Sequence, residues 1–277
     1  MKKNPIALKQ QGRASLQFLG SLRSTASGEL RNQAKKIFEE YDDSKELIDS
    51  SMKKTNKTSG EWMRLINQAD KVARRNSEYR FERFYQHHGG REVWTRGIIA
   101  VEELREKIKK EWKNLDSKSN KSNLILNSKI EYPDYFNIEF HTQPGGWDAY
   151  DLYPAVFQYG FGPHVFSYGG YAAIDPGQKH TREQILAAMP KKNYTNIFEP
   201  GCGAGGMLFS AAKFFPNSKL VGCDLSETFL KQAWRTSETL NLDIQFKQSL
   251  AEDTNEKSNS YDAVISYAFF HEIPVPI

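Results

Sequence analysis

Cysteine is scarce in this chain of 277 residues, which has only Cys202 and Cys223. Neither has metal-ligand spacing, so no zinc motif is present, and one pair cannot build a disulfide framework. Both read as small buried side chains in a reducing compartment, consistent with a cytoplasmic protein. Long apolar runs are also missing. No stretch approaches the roughly 18 residues of a membrane span. The N-terminus lacks the continuous apolar core of a secretory signal and carries no acid before Glu29, only Lys2, Lys3, Lys9, Arg13 and Arg23. That bias weakly resembles an organelle transit peptide; a disordered basic terminus is expected. No internal repeat is found.

Hydrophobic residues make up 39% of the chain, enough for one core domain and a sizeable appendage. Charge is uneven. From Asn196 onward there are six Lys/Arg against ten Asp/Glu, a net of −4; with +4 overall, the preceding part carries +8. The basic residues decorate helical patterns over Gly28 to Lys57 and Glu61 to Leu115, with Trp62, Leu65, Ile66, Ala69 and Val72 on one face. Lys71, Arg74, Arg75, Arg80, Arg83 and Arg91 lie close together among Tyr79, Phe81, Phe84 and Tyr85. They fit either a solvated helical face or a nucleic-acid or anionic surface; without a nucleic-acid motif the solvated face is preferred.

Asn114 to Ser128 is a polar linker by composition. The chain then divides into a basic helical region with linker (1–128), an aromatic and glycine-rich connecting or lid segment (129–180) and a core (181–277). The middle segment holds Tyr135, Phe136, Phe140, Trp147, Tyr153, Phe157, Phe161, Tyr168 and Tyr171 among Gly145, Gly146, Gly160, Gly162, Gly169 and Gly170. Rings beside flexible turns make a lid from Gly145 to Gly170 over an acceptor, or a brace packing the appendage onto the core. Thr181-x-x-Gln184 forms a capping box for a helix from Arg182 to Met189.

The strongest signal is Asn196-Ile-Phe-Glu199-Pro-Gly201-Cys-Gly203-Ala-Gly205-Gly206, an apolar strand running into a glycine turn that opens a helix. Glycines let a ligand approach the backbone and allow the dihedrals of such a turn. A helix over Met207 to Phe215, a strand at Lys219 to Cys223 and Asp224 at its end complete a βαβ unit. An acid at this distance is placed to accept two ribose hydroxyls, or to cap the following helix, Glu227 to Thr239. Strands at Ile244 to Gln248 and Tyr261 to Ser266, with a polar loop at Ala251 to Ser260 between them, continue a parallel-sheet pattern.

From Thr181 to its last residue the chain resembles class I S-adenosylmethionine-dependent methyltransferases. Four motifs carry the likeness in order: Glu199-x-Gly201-x-Gly203-x-Gly205; Asp224 as the ribose acid; Leu250-Ala251-Glu252 as the adenine turn; and Tyr261 to Ser266 with His271-Glu272-Ile273-Pro274 as the fourth strand. The resemblance implies a Rossmann-like α/β core behind a mainly α-helical N-terminal region. It also implies S-adenosyl-L-methionine as cofactor, held by Glu199, Gly201, Gly203, Gly205, Asp224, Leu250, Ala251, Glu252 and Ser266. A small organic molecule is the expected methyl acceptor. Leu250 departs from the usual Asp or Asn, leaving the Ala251 amide and Glu252 or Asp253 as polar partners.

Gly201, Gly203 and Gly206 also satisfy G-x-G-x-x-G, so an NAD- or FAD-dependent oxidoreductase is the competing enzyme and a non-catalytic adenosylmethionine binder the competing class. Glu199 opposes a pyrophosphate but suits the ammonium of a methionine moiety. The family's sheet has seven strands in the order 3-2-1-4-5-7-6, so three are expected beyond Ile277 and the chain reads as a fragment. Its fourth strand, Ala263-Val264-Ile265, then forms an open apolar edge. The alternative is a strand contributed by Lys129 to Thr142, against which Pro133 argues. A protein base is needed only for an acidic acceptor. His271, just past the fourth strand, is the candidate, with a structural histidine as the alternative and His141, His164 and His180 ranked behind it. His271-Glu272 lacks the second histidine of a zinc helix motif, and no metal is expected.

Overall fold

A computed structural model of the chain describes residues 6–53, 56–117, 121–166 and 179–273. Near-continuous apolar runs such as Ile197-Phe198 and Leu220-Val221 form strands buried on both faces, as a parallel sheet requires. Five parallel strands, β1 (Asn123–Ile125), β2 (Asn196–Pro200), β3 (Lys219–Asp224), β4 (Ile244–Gln248) and β5 (Ala263–Val264), lie in the order β1-β4-β3-β2-β5. The four expected strands keep the family's 3-2-1-4 order. The chain moves outward from β2 through β3 to β4, then returns to the other side of β2 at β5. A crevice forms where the direction reverses.

The fifth strand corrects the linker assignment. Asn123, Leu124 and Ile125 pair with Gln245, Phe246 and Lys247 of β4. Ser122 pins the approach: its Oγ accepts from the Ile244 amide at 3.1 Å and donates to the Leu242 carbonyl at 2.8 Å. The short polar run has little strand propensity of its own, and tertiary pairing overrides composition here. Lys129 to Thr142 supplies no strand; a 3₁₀ turn at Asp134–Asn137 lies within it. The fourth strand is shorter than expected. Pairing nevertheless extends past it, because the Asp262 and Ile265 amides donate to the Asn196 and Phe198 carbonyls. Val264 is 62% exposed on this outer strand.

The N-terminal region is a helical layer. The terminus expected to be disordered contains α1 (Gln10–Thr25), whose Leu16 is fully buried. At Gly12 an added Cβ would stand 2.5 Å from Ala100, so glycine permits close contact with the helix that carries Ala100. The two long helical patterns break into α2 (Arg31–Glu40), α3 (Asp42–Met52), α4 (Ser59–Ala73), α5 (Ser77–Phe84), α6 (Gly90–Glu102) and α7 (Arg105–Asp116). Asn76 causes one break by capping α5, its Oδ1 accepting from the Glu78 and Tyr79 amides. Of the supposed apolar face on α4, Val72 is buried while Trp62 and Ile66 are exposed. Arg74, Arg75, Arg83 and Arg91 hold Asp70, Asp43, Glu82 and Glu139 respectively, so much of the basic cluster is already neutralised.

The aromatic segment proves to be both brace and wall. A turn at Tyr153–Ala155 (α8) runs into a π-type helix at Val156–Phe166, and Tyr153, Tyr159 and Phe161 are buried in the helical layer's core. Trp94 of α6 is the hub, with edge-on contacts to Tyr153, Phe157 and Phe161 at 5.0, 5.3 and 4.6 Å. Trp94→Ala should therefore destabilise the protein by about 3–5 kcal/mol, measured by urea unfolding. A loss below ~1 kcal/mol would refute the hub assignment. The later lid positions, Tyr168, Gly169, Gly170 and Tyr171, lie outside the described residues, as does Pro274.

The core continues with α9 (Lys179–Ala187), α10 (Gly206–Phe214) and α11 (Glu227–Leu240). Thr181 lies within α9, two residues after its first described residue, and not at its cap. The two layers meet on α11. Arg235 donates to Asp116 at 2.6 and 2.8 Å and lies 4.6 Å over Trp112. Among the described residues, no helix is long and apolar enough to cross a membrane.

Candidate active site

At the carboxyl end of β2 the chain turns through Gly201, Gly203 and Gly205, with φ of 66°, 49° and 79°. These left-handed dihedrals suit glycine, but only one position is open to a ligand. An added Cβ on Gly203 meets nothing within 4 Å, whereas on Gly201 it would strike the Phe269 ring and on Gly205 it would strike Phe209. Gly201 and Gly205 therefore serve packing, and Gly203 leaves its backbone bare. Gly206 makes room for Arg182, whose guanidinium would stand 2.7 Å from an added Cβ.

The turn opens onto a cavity of about 390 Å³, within the range of small-molecule sites. Glu199, Gly201, Gly203, Asp224, Leu250, Ala251 and Glu252 all line it. Their common place was legible in the sequence because each sits at or just beyond the carboxyl end of a strand of one sheet. Gly205 and Ser266 stand outside the wall, and the Ser266 Oγ is buried without a hydrogen-bond partner. Glu252 is exposed at the wall, where its carboxylate accepts from the Tyr135 hydroxyl.

Asp224 braces the turn. One oxygen accepts from the Gly203 amide at 2.7 Å and the other from the Ser226 amide at 2.9 Å. Ser226, not Asp224, caps α11, its Oγ accepting from the Phe229 amide at 3.2 Å. Each Asp224 oxygen retains a further lone pair for a hydroxyl donor. Burial raises its pKa to about 6, helped by the nearby Asp148 and Glu272 carboxylates and opposed by the two amides.

Glu199 is the most unusual group. It is 2% exposed, lines the cavity, and its Oε2 has no hydrogen-bond partner. Burial holds its carboxyl well above the usual range; Arg182 and the Leu208 amide oppose that and Asp224 adds to it. A buried carboxyl oxygen left without a donor carries a desolvation penalty that a cationic ligand would relieve. Cys202 and Cys223 are free and buried; burial pushes both thiols up, Cys223 to about 11.

Tyr135, Phe136, Phe140, Trp147 and Phe157 form the aromatic side of the cavity. Their segment is fastened by Asp148, which accepts from the Ser226 and Thr228 hydroxyls at 2.5 and 2.7 Å and from the Glu227 amide at 3.1 Å. Sequence reasoning did not single out Asp148 or Arg182, because nothing local links either to the glycine turn. Asp148→Ala should lower stability by about 0.5–2 kcal/mol and loosen the aromatic wall, seen as faster amide exchange at residues 135–147. Unchanged exchange would show that Asp148 does not fasten it.

His271 does not line the cavity. It is exposed at the rim, 3.0 Å from Oε1 of Glu272, which does line it. His141 reaches the same oxygen at 2.7 Å. His164 is partly buried in the helical layer, where burial and Arg13 lower its pKa. The His180 side chain lies outside the described residues.

Residues 197–276 match a family described as a methyltransferase domain, in agreement with the class I core expected from the motifs. The uncharacterized protein RP789 of Rickettsia prowazekii (strain Madrid E) is 30% identical over 106 residues, 38% of this chain and 19% of that protein. The chain thus spans about a fifth of the length of the curated relative it matches. Among solved structures, YcgJ from Bacillus subtilis aligns at 15% identity and a TM-score of 0.30, covering 32% of this chain and 38% of that one. A methyltransferase from Thiobacillus denitrificans, solved with S-adenosyl-L-homocysteine, aligns at 23% identity and a TM-score of 0.28, covering 32% and 36% respectively.

Proposed function

We propose that this chain binds S-adenosyl-L-methionine at the glycine turn and transfers its methyl group to a small organic acceptor. The observation that carries the reading is the Glu199 carboxyl, which lines the cavity with the bare Gly203 backbone and has a buried oxygen without a partner. An anionic pyrophosphate would meet that carboxyl with the wrong sign. An ammonium supplies the missing donor.

In this reading Glu199 would hold the amino group, Arg182 would meet the carboxylate of the same methionine moiety, and Asp224 would accept from the ribose hydroxyls. Leu250 and Ala251 would pack against the adenine. When bound, S-adenosylmethionine supplies an electrophilic methyl group on a sulfonium, so no protein nucleophile is required. The protein's task is to orient the acceptor and exclude water, an effect worth up to ~7–11 kcal/mol in favourable cases. Tyr135, Phe140 and Trp147 are placed to do this. For a hydroxyl or carbon acid, His271 at the rim takes the proton.

Calorimetric titration with S-adenosylmethionine, S-adenosylhomocysteine and NAD tests the binding half, and a labelled-methyl assay tests the transfer. Gly203→Val places a branched side chain where the backbone is now bare, in a dihedral region costing about 1–2 kcal/mol for such residues. Affinity for S-adenosylhomocysteine should fall at least about tenfold. Preference for NAD, or unchanged affinity in Gly203→Val, would overturn the assignment.

A further inference from the structure

His141 and His271 are 130 residues apart, yet their Nε2 atoms lie 3.1 Å from each other. Glu272 Oε1 completes a triangle, 2.7 Å from the first and 3.0 Å from the second. Hydrogen bonds alone satisfy this arrangement poorly. If each Nε2 carries a proton toward the carboxylate, the two N–H groups abut; if one nitrogen accepts from the other, one contact with the carboxylate loses its donor. A cation facing all three lone pairs satisfies every edge. Ligand atoms at about 2.0–2.2 Å from a metal and at right angles to one another are separated by about 3 Å, close to the spacing found.

We infer that His141, His271 and Glu272 form a binding site for a divalent first-row transition metal at the rim of the cavity. Two imidazoles and one carboxylate on one face of an ion are the donor set of open transition-metal sites. The site is held by its surroundings. The Trp94 indole donates to the His141 carbonyl at 2.8 Å, and the His141 amide donates to Oε1 of the fully buried Gln143 at 2.8 Å. Glu272 lines the cavity and its second oxygen is buried with no hydrogen-bond partner. Coordination positions not filled by the protein are left for water or for an oxygen atom of a molecule entering the cavity. The site does not depend on which cofactor occupies the glycine turn, but a metal on Nε2 of His271 occupies the lone pair that would otherwise accept a proton, so His271 acts as a base only in the metal-free protein.

The test is titration of the untagged full chain with Co²⁺, read by visible absorption, and with Zn²⁺ in competition with a chromophoric chelator. The wild type should bind one equivalent of either metal at this site. His141→Ala, His271→Ala and the near-isosteric Glu272→Gln should each weaken binding at least about 10- to 100-fold. His88→Ala, at a surface histidine elsewhere, should retain it. Circular dichroism identifies any variant that fails to fold, and Glu272→Gln keeps the test valid in that case. Absence of binding in the wild type, or binding that survives in folded Glu272→Gln and His271→Ala, would overturn the inference.

Discussion

Glu199→Gln should weaken S-adenosylmethionine binding by roughly 10- to 150-fold while leaving the ligand-free protein at least as stable as the wild type. The binding loss follows from the proposed role of Glu199: the substitution would remove the anion that meets the ligand's ammonium, a charge-assisted contact worth about 1.5–3 kcal/mol. The stability follows from burial. The Glu199 carboxyl is held well above its ordinary pKa, so its ionised form burdens the folded state. A folded-state pKa raised above the unfolded one means that its favourable contribution is complete below the unfolded value and lost as pH rises through the folded value. A neutral amide of the same shape avoids that loss. Calorimetry gives the affinity and urea unfolding at neutral pH gives the stability. A marked loss of stability with affinity intact would assign Glu199 a structural role and remove the main support for the ligand.

Asp224→Ala should behave in the opposite way on stability. Its carboxylate accepts from the Gly203 and Ser226 amides, and leaving buried amides unpaired costs about 1–3 kcal/mol each. Loss of both proposed ribose acceptors should also reduce affinity by about a hundredfold, from some 3 kcal/mol of charge-assisted hydrogen bonding. In the wild type, the Asp224 pKa of about 6 sets a pH signature. Between its ordinary value of 3.8 and about 6 the folded state holds this proton more tightly than the unfolded chain, so Asp224's contribution to stability falls as pH rises through that window. Affinity runs the other way: the ionised carboxylate accepts from hydroxyls, so binding should weaken as pH drops below about 6. Titrations at pH 5, 6 and 7 check this, and an affinity that is flat across them would detach Asp224 from the ligand.

The amino-acid sequence by itself determined the layout of β2 through β4, the left-handed glycine turn and most of the cavity's polar wall. Those features are local: an apolar run makes a buried strand, glycine permits the dihedrals, and Glu199, Gly203, Asp224 and Ala251 each sit at or just beyond a strand end that faces the crevice. Only the tertiary structure decided the rest. β1 is a strand because Ser122 and β4 hold it, although Asn123-Leu124-Ile125 lies in a polar stretch. The aromatic segment divides between wall and brace according to which rings meet Trp94 and which meet the cavity. Of the motif glycines, Gly203 alone faces open space, and the ring that covers Gly201 comes from Phe269, far along the chain. His141 meets His271 and Glu272 across the fold, and no sequence spacing announces it. Periodicity and turn chemistry act over a few residues, whereas these contacts arise when separate elements are packed together, and the chain between them carries no trace of the distance they will close.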